Sequence, residues 1–388
     1  MSLDPLRLGF VPLLDMAPLA VAHEMGFAAE EGIALELTRA SSWSMLRDML
    51  VFGQVEAAQM LAPVPIAMAM GLGGAAARLD ILQVLSVNGD VIGLSQRLAA
   101  RMRAAGYGFD FHDARAARAA LIQAADGPLR IGIPFPFSTH AELVSYWLAG
   151  AALDHELTTI PPPQMVEALA RGEIDAFCVG EPWGSVAVDA GVGTLVLPSR
   201  AIWAVAPEKV LAVRHDWSEA NPALTGRLMR AVWRAARWLH QTGNRGVAAD
   251  ILARPDYVNA PVEVLERALS GNMVISPAGD LRQVPGMIRF FEGAASFPWR
   301  SQAAWFAAQM ADRFHLDPAA SIAAASAICR TDLYRRNLRS AGADLPGASE
   351  KLEGSLHHPT AVASEQGQMI LSPDAFFDSR VFDLLAPR

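Results

Sequence analysis

A chain of 388 residues is too long for one small core, so two or three lobes or domains are expected. With 52% hydrophobic and 19% charged residues it reads as a globular, well-buried protein and not a disordered one. The net charge of -8 argues against non-specific binding to nucleic acid or acidic membranes, so any nucleic acid in its biology is reached through another protein.

The elements alternate from the start. Residues 6–10 (LRLGF) read as a strand, 17–25 as a helix stopping before Gly26, and 33–38 as a second strand. Ser41 and Ser42 offer caps for a helix through WSMLRDMLVF. Residues 54–61 return as a strand, Pro63 opens a short helix, and 79–87 form a strand closed by Asn88-Gly89-Asp90. This βαβαβ order predicts a mostly parallel sheet flanked by helices. Residues 95–128 read as helix interrupted at Gly106 and Gly108. A second series follows: strand 129–133, helix 140–148, strand 157–160, helix 164–171, strand 175–179, helix 186–190 and strand 194–197. Strand 209–213 precedes helices 222–240 and 261–269, then helices 303–314 and 319–336 and a polar tail. Two α/β blocks, with the chain re-entering the first near residue 205, predict a two-lobed clamshell with a ligand between the lobes. Two independent Rossmann-like domains fit the same pattern.

Residues 161–183 (PPPQMVEALARGEIDAFCVGEPW) stand at the centre of this order. A strand that stops at Gly180 and restarts as a helix behind Pro182 predicts free backbone N–H groups at a sheet edge, where small ligands sit in open α/β sheets; an ordinary strand–helix turn is the alternative. Cys178 and Cys329 give neither a disulfide framework nor a zinc spacing, and Cys178 in an apolar run fits a buried thiol. The first residues carry no basic segment ahead of a long apolar run and no cysteine to lipidate, so a cytoplasmic, soluble protein is expected.

Five blocks in order, GFVPLLDMAPLAVAHEMGF, ASSWSMLRDMLVFG, STHAELVSYWLAGAAL, PPPQMVEALARGEIDAFCVGEPW and PEKVLAV, resemble the nitrate/bicarbonate-binding family. Its members include receptor lipoproteins of bacterial nitrate and bicarbonate ABC transporters and a soluble branch of cytoplasmic nitrate/nitrite sensors. The resemblance implies an α/β, two-lobed, periplasmic-binding-protein-like (type II) clamshell with additional C-terminal helices. Lobe I is expected to comprise residues 1–95 plus 205–388 and lobe II residues 96–204.

The same resemblance places an oxyanion in the interlobe cleft. It implies that Trp43 walls the pocket, that Thr139 and His140 present a helix N-terminus, that Gly180 lets the backbone approach, with Glu181 beside it, and that Lys209 is the charge partner. Residue by residue, blander readings stand alongside: core packing for Trp43, helix capping for His140 and, more strongly, for Glu181, and a surface turn for Lys209. Lysine occurs only at 209 and 351 among 32 basic residues, which favours a chosen ammonium at 209. Asp90 departs from the glutamine of nitrate-binding members; a carboxylate there repels an anion unless it is protonated, turned away or paired. Nitrate, nitrite and bicarbonate therefore stay open.

The expected function is that of a receptor and not an enzyme, without cofactor or metal: a nitrate/nitrite sensor controlling a NasT-type RNA-binding antiterminator protein. The alternative is the solute-binding component of a nitrate/bicarbonate ABC transporter. An iron-dependent synthase of the kind found on related folds lacks the cysteines and a metal-spaced cluster.

Overall fold

The first four strands of the chain belong to one six-stranded sheet in the computed structural model, which describes residues 3–74 and 77–386. Its first strands are β1 (Asp4–Phe10), β2 (Ile33–Arg39), β3 (Ala57–Leu61) and β4 (Leu79–Asn88). β3 and β4 are buried along their whole length, which explains their near-continuous apolar runs. The second sheet takes β5 (Asp90–Ser95), β6 (Leu129–Ile133), β7 (His155–Thr159), β8 (Ala176–Gly180) and β9 (Gly193–Pro198), in the order β7-β6-β8-β5-β9. The chain then returns to the first sheet as β10 (Pro207–Arg214). A small hairpin of β11 (Asn272–Val274) and β12 (Leu281–Gln283) precedes β13 (Ile288–Arg289), which closes the first sheet in the order β13-β4-β10-β3-β1-β2.

The first sheet is mixed, not mostly parallel. β1 runs parallel to β2 and β3, whereas β10 inserts antiparallel between β3 and β4 because it enters from the far sheet. Asn88-Gly89-Asp90 close β4 as expected, and they also lead directly into the next strand. Asn88 (φ 61) and Gly89 (φ 101) turn the backbone through two left-handed residues, and Asp90 opens β5 in the other sheet. The expected free amides at the end of β8 are also partly taken: Glu181 N–H donates to the Gly89 carbonyl at 2.9 Å, before a cis bond to Pro182.

The helix Pro222–His240 places Leu228, Val232, Ala235 and Leu239 on one buried face, with Pro222 where a helix needs no donor. The helix Arg245–Ala253 was not anticipated. The expected helix over 319–336 is two, Pro318–Ala327 and Thr331–Leu338. Between them the backbone of residues 328–330 bonds to Ile81 in both directions, at 2.8 and 2.9 Å, and the Arg330 guanidinium reaches buried Asp80 at 2.8 Å. A tertiary partner overrides the helical pattern there. The polar tail contains a hairpin, β14 (Thr360–Ser364) and β15 (Gly367–Leu371).

The C-terminal third binds both sheets together. The Tyr146 hydroxyl directs its one proton at the Asp378 carboxylate, whose two oxygens stand 2.8 and 2.9 Å away, and Arg313 pairs with buried Glu142 on the second-sheet helix Thr139–Leu148. Phe376 stacks on both Trp203 and Trp305 around the return to β10, and the two indoles are tilted against each other, with ring centroids 4.7–5.4 Å apart. Among the described residues no helix is long and apolar enough to cross a membrane.

Candidate functional site

The site begins with an irregularity in β10. Pro207 pairs with Val87 and Lys209 with Ser86, so Glu208 is an extra residue opposite β4, and Lys209 pairs with Leu61 on the other side. In a regular strand neighbouring side chains point to opposite faces. The bulge re-aims them, and the Glu208 carboxylate and Lys209 ammonium form an ion pair although they are adjacent in sequence. Both residues are fully buried.

Around that pair the two sheets converge. Asp15, in the short 3-10 turn Leu14–Met16 behind β1, places Oδ2 2.8 Å from Lys209 Nζ, and Gln59 of β3 donates to its other oxygen. Gln59 in turn accepts from Val11 N–H at 2.9 Å. From the second sheet, His140 sets Nδ1 3.5 Å from the same Glu208 oxygen that meets the ammonium, and Nε2 3.0 Å from Asp90 Oδ1. The His140–Asp90 contact is an ion pair without a linear hydrogen bond, so both Asp90 oxygens and both ring nitrogens keep hydrogen-bonding capacity. Trp43 lies beneath, with its ring centroid 5.2 Å from Lys209 Nζ and its buried indole N–H unpartnered among the described residues.

Burial and charge compete at Asp15, Glu208, His140 and Lys209. Burial raises the Asp15 carboxyl, with Lys209 opposing, and it raises Glu208 with the help of Asp90. For His140 burial acts downward, but Asp90 and Glu208 outweigh it and hold the imidazole above its ordinary value. Lys209 behaves likewise: burial acts downward, Asp15 and Glu208 overcome it, and the ammonium is held charged. Burial pushes Glu181 up to about 7. Cys178 is a buried thiol, raised well above its ordinary value first by burial and then by Asp90 and Glu208, which opposes formation of a thiolate.

Of the residues singled out in the sequence, Trp43, Asp90, His140 and Lys209 meet in this cluster. Thr139 lies beside it, its hydroxyl donating to the Pro207 carbonyl at 2.9 Å and so tying the helix Thr139–Leu148 to β10. The N-cap of that helix is Ser138. Gly180 pairs with Asp90 across the second sheet, and a Cβ there would stand 2.6 Å from Leu13 Cδ2, 3.4 Å from Asp90 Oδ1 and 3.6 Å from Asp15 Oδ2. Glycine is thus required by close approach, not by φ. Glu181 turns to its own helix, where Oε2 accepts from Ser185 N–H at 3.3 Å. Asp15, Gln59 and Glu208 were missed. Asp15 and Gln59 are each a lone polar residue in an apolar run, and a lone polar residue on a buried strand or turn needs a partner; Glu208 directly precedes Lys209, and only the bulge puts both on one face.

Asp90, His140 and Glu208 each bring one donor atom within 4.8 Å of the others. The Lys209 ammonium already sits on Glu208, so a divalent ion there meets like charge; the set is an internally paired cluster. A second group, Asp80, His215 and Glu219, is occupied in the same sense by Arg330, which reaches Asp80 at 2.8 Å and Glu219 at 2.7 Å.

Comparison with known proteins gives a consistent picture. The profile of the NMT1-like family matches residues 2–253. The nitrate/nitrite binding protein NrtA of Synechococcus elongatus is 30% identical over 361 residues, covering 89% of this chain and 80% of NrtA. The nitrate import ATP-binding protein NrtC of Synechocystis sp. is 32% identical over 350 residues, covering 88% of this chain, which spans only 51% of the length of NrtC. In structure, the periplasmic nitrate-binding protein NrtA from Synechocystis PCC 6803 superposes with a TM-score of 0.81 at 27% identity, over 98% of this chain and 96% of that one.

Proposed function

This chain belongs to the NMT1-like family, and from that premise we propose that it is a receptor for nitrate or nitrite, held between the two sheets by Lys209, His140 and the Trp43 indole. The observation that carries the proposal is the buried ammonium on a bulged strand of one sheet, facing an imidazole from the other across a shared carboxylate. A small oxyanion accepts hydrogen bonds and needs one compensating positive charge in a dry site. Lys209 supplies the charge; His140 and the Trp43 N–H supply directed donors. Gly180 keeps the wall between Leu13 and Asp90 thin enough for the ligand to approach main chain.

The finer reading is a cytoplasmic sensor. Two lobes, one built on the first sheet and the other on the second, which takes β5 (Asp90–Ser95) as well as residues 96–204, close on the anion, and closure changes the surface offered to a NasT-type RNA-binding antiterminator, held without ligand and released with it. Because the site draws on both sheets, the anion favours closure, with a coupling on the order of 1–3 kcal/mol. Calorimetric titration with nitrate and nitrite tests the ligand, and gel filtration with the antiterminator tests the output. No heat with either anion at millimolar concentration discards the ligand assignment. Unchanged co-elution with saturating anion discards the sensor.

The likeness to NrtA favours a second reading, the solute-binding component of a nitrate or bicarbonate ABC transporter. Stable capture of a permease and not an antiterminator, with the protein recovered outside the cytoplasm, would establish it instead.

A further inference from the structure

The pocket proposed for an anion is rich in acid. Asp15, Asp90 and Glu208 stand against one ammonium and one imidazole, and all five residues are at most 2% exposed. With every acid ionised and both cations charged the cluster is already negative, so an anion added to it enters against charge at low dielectric. One of the three acids stands out by position. Glu208 is the extra residue of the bulge, and a single oxygen of its carboxylate is shared by Lys209 Nζ and His140 Nδ1. A carboxylate is a bent, planar, acceptor-only group that bridges two cationic donors, the same description that fits nitrite or one edge of nitrate.

We propose that Glu208 is an internal competitor for the anion: its carboxylate holds the place between Lys209 and His140, and the ligand displaces it only as Glu208 takes up a proton from solvent. This deepens the anion-receptor reading and rests on it. The ion pairs to Lys209 and His140 break, the anion's oxygens replace the carboxylate on both donors, and Glu208 becomes neutral. The cluster's net charge is then unchanged by binding.

The surroundings of Glu208 favour that exchange. Lys209 lies beside it on β10, His140 on the helix Thr139–Leu148, Asp90 on β5, Asp15 on the turn behind β1 and Cys178 on β8. Two of these are acids and two are cations, and the Cys178 thiol is neutral. When an anion occupies the cations, Glu208 faces Asp15 and Asp90 with no positive partner of its own. Its second oxygen, Oε2, is buried and has no hydrogen-bond partner among the described residues, so a proton there meets no competing donor. Burial with Asp90 nearby already raises this carboxyl, which works in the direction of taking up the proton. Asp15 is the poorer candidate, because Gln59 as well as Lys209 donates to it.

The sign follows from linkage. The bound form holds more protons than the free form, so affinity is greatest at low pH and falls by about tenfold per pH unit once free Glu208 is ionised. Nitrite and nitrate are titrated calorimetrically at about pH 8 in phosphate and in Tris, whose ionisation heats differ, and then from about pH 6 to about pH 9. The expected result is uptake of close to one proton per anion at the alkaline end, diminishing toward acid. Glu208→Gln, which keeps the shape and loses the charge, is expected to bind about tenfold or more tightly at the alkaline end with a pH-independent, buffer-independent heat. Wild-type binding with a buffer-independent heat and flat affinity overturns the proposal while leaving the receptor intact. No binding by wild type or Glu208→Gln at any pH sinks the receptor reading, and this inference with it. Should Glu208→Gln fail to fold, the wild-type proton count still decides.

Discussion

Replacing Lys209 by methionine tests the electrostatic reading of the cluster without any ligand. The side chain is fully buried, its ammonium 2.8 Å from Asp15 and in contact with Glu208. Methionine fills most of the volume, so the cost is that of Asp15 left without its cation and Glu208 left with His140 alone. Breaking a buried pair by removing one partner costs about 3–5 kcal/mol. For a chain of this length, unfolding entropy of roughly 2 cal/mol/K per residue turns that into a fall in Tm of about 4–6 °C. The deficit shrinks at low pH, because Asp15 and Glu208 are neutralised by protons and their loss of a cation then matters less. Adding Glu208→Gln to Lys209→Met restores part of the stability, with a coupling of about 1–3 kcal/mol in a double-mutant cycle. Scanning calorimetry of the four proteins at about pH 8 and about pH 5 reads all of this. A Lys209→Met Tm within about 1 °C of wild type at the alkaline pH refutes the argument, since buried unpaired carboxylates cannot be free of cost.

Three further outcomes follow from packing and titration. Gly180→Ala places a methyl group against the flexible end of Leu13 and toward Asp90 and Asp15, so stability falls by about 1 kcal/mol while anion affinity, read by calorimetry, drops tenfold or more. In Gly93→Ala the added carbon stands 2.1 Å from Phe177 Cζ inside the second sheet; denaturant unfolding is expected to show a loss of about 3 kcal/mol or more. Glu142 and Glu181 are both pushed up to about 7, from an ordinary 4.5, chiefly by burial. A carboxyl whose folded value lies above its unfolded one contributes stability below about pH 4.5 and loses it as pH rises through 7, so Glu181→Gln flattens that decline in a Tm-against-pH series. An unchanged slope contradicts the assignment.

How much of this was legible beforehand can be followed residue by residue. The helix Pro222–His240 was readable because Pro222 starts it and its apolar residues recur at helical spacing, both local signals. Trp43, His140, Gly180 and Lys209 came from motif blocks, and the scarcity of lysine marked Lys209 independently. Asp90 was noticed only as an exception; the structure gives it a partner in His140. The broken helix at 328–330 was illegible because its backbone is claimed by Ile81, some 250 residues earlier in the chain.

The sequence by itself determined the alternation of elements, the family and the identity of one rare ammonium, since periodicity, composition and motif are properties of short stretches. Only the tertiary structure decided that the first sheet is mixed, that Asp15, held by Gln59, reaches Lys209, and that Glu208 shares its face. The reason is physical. Side chains of a strand alternate by rule, and whether a bulge suspends that rule depends on the register of a partner strand about 120 residues away, which no local pattern records.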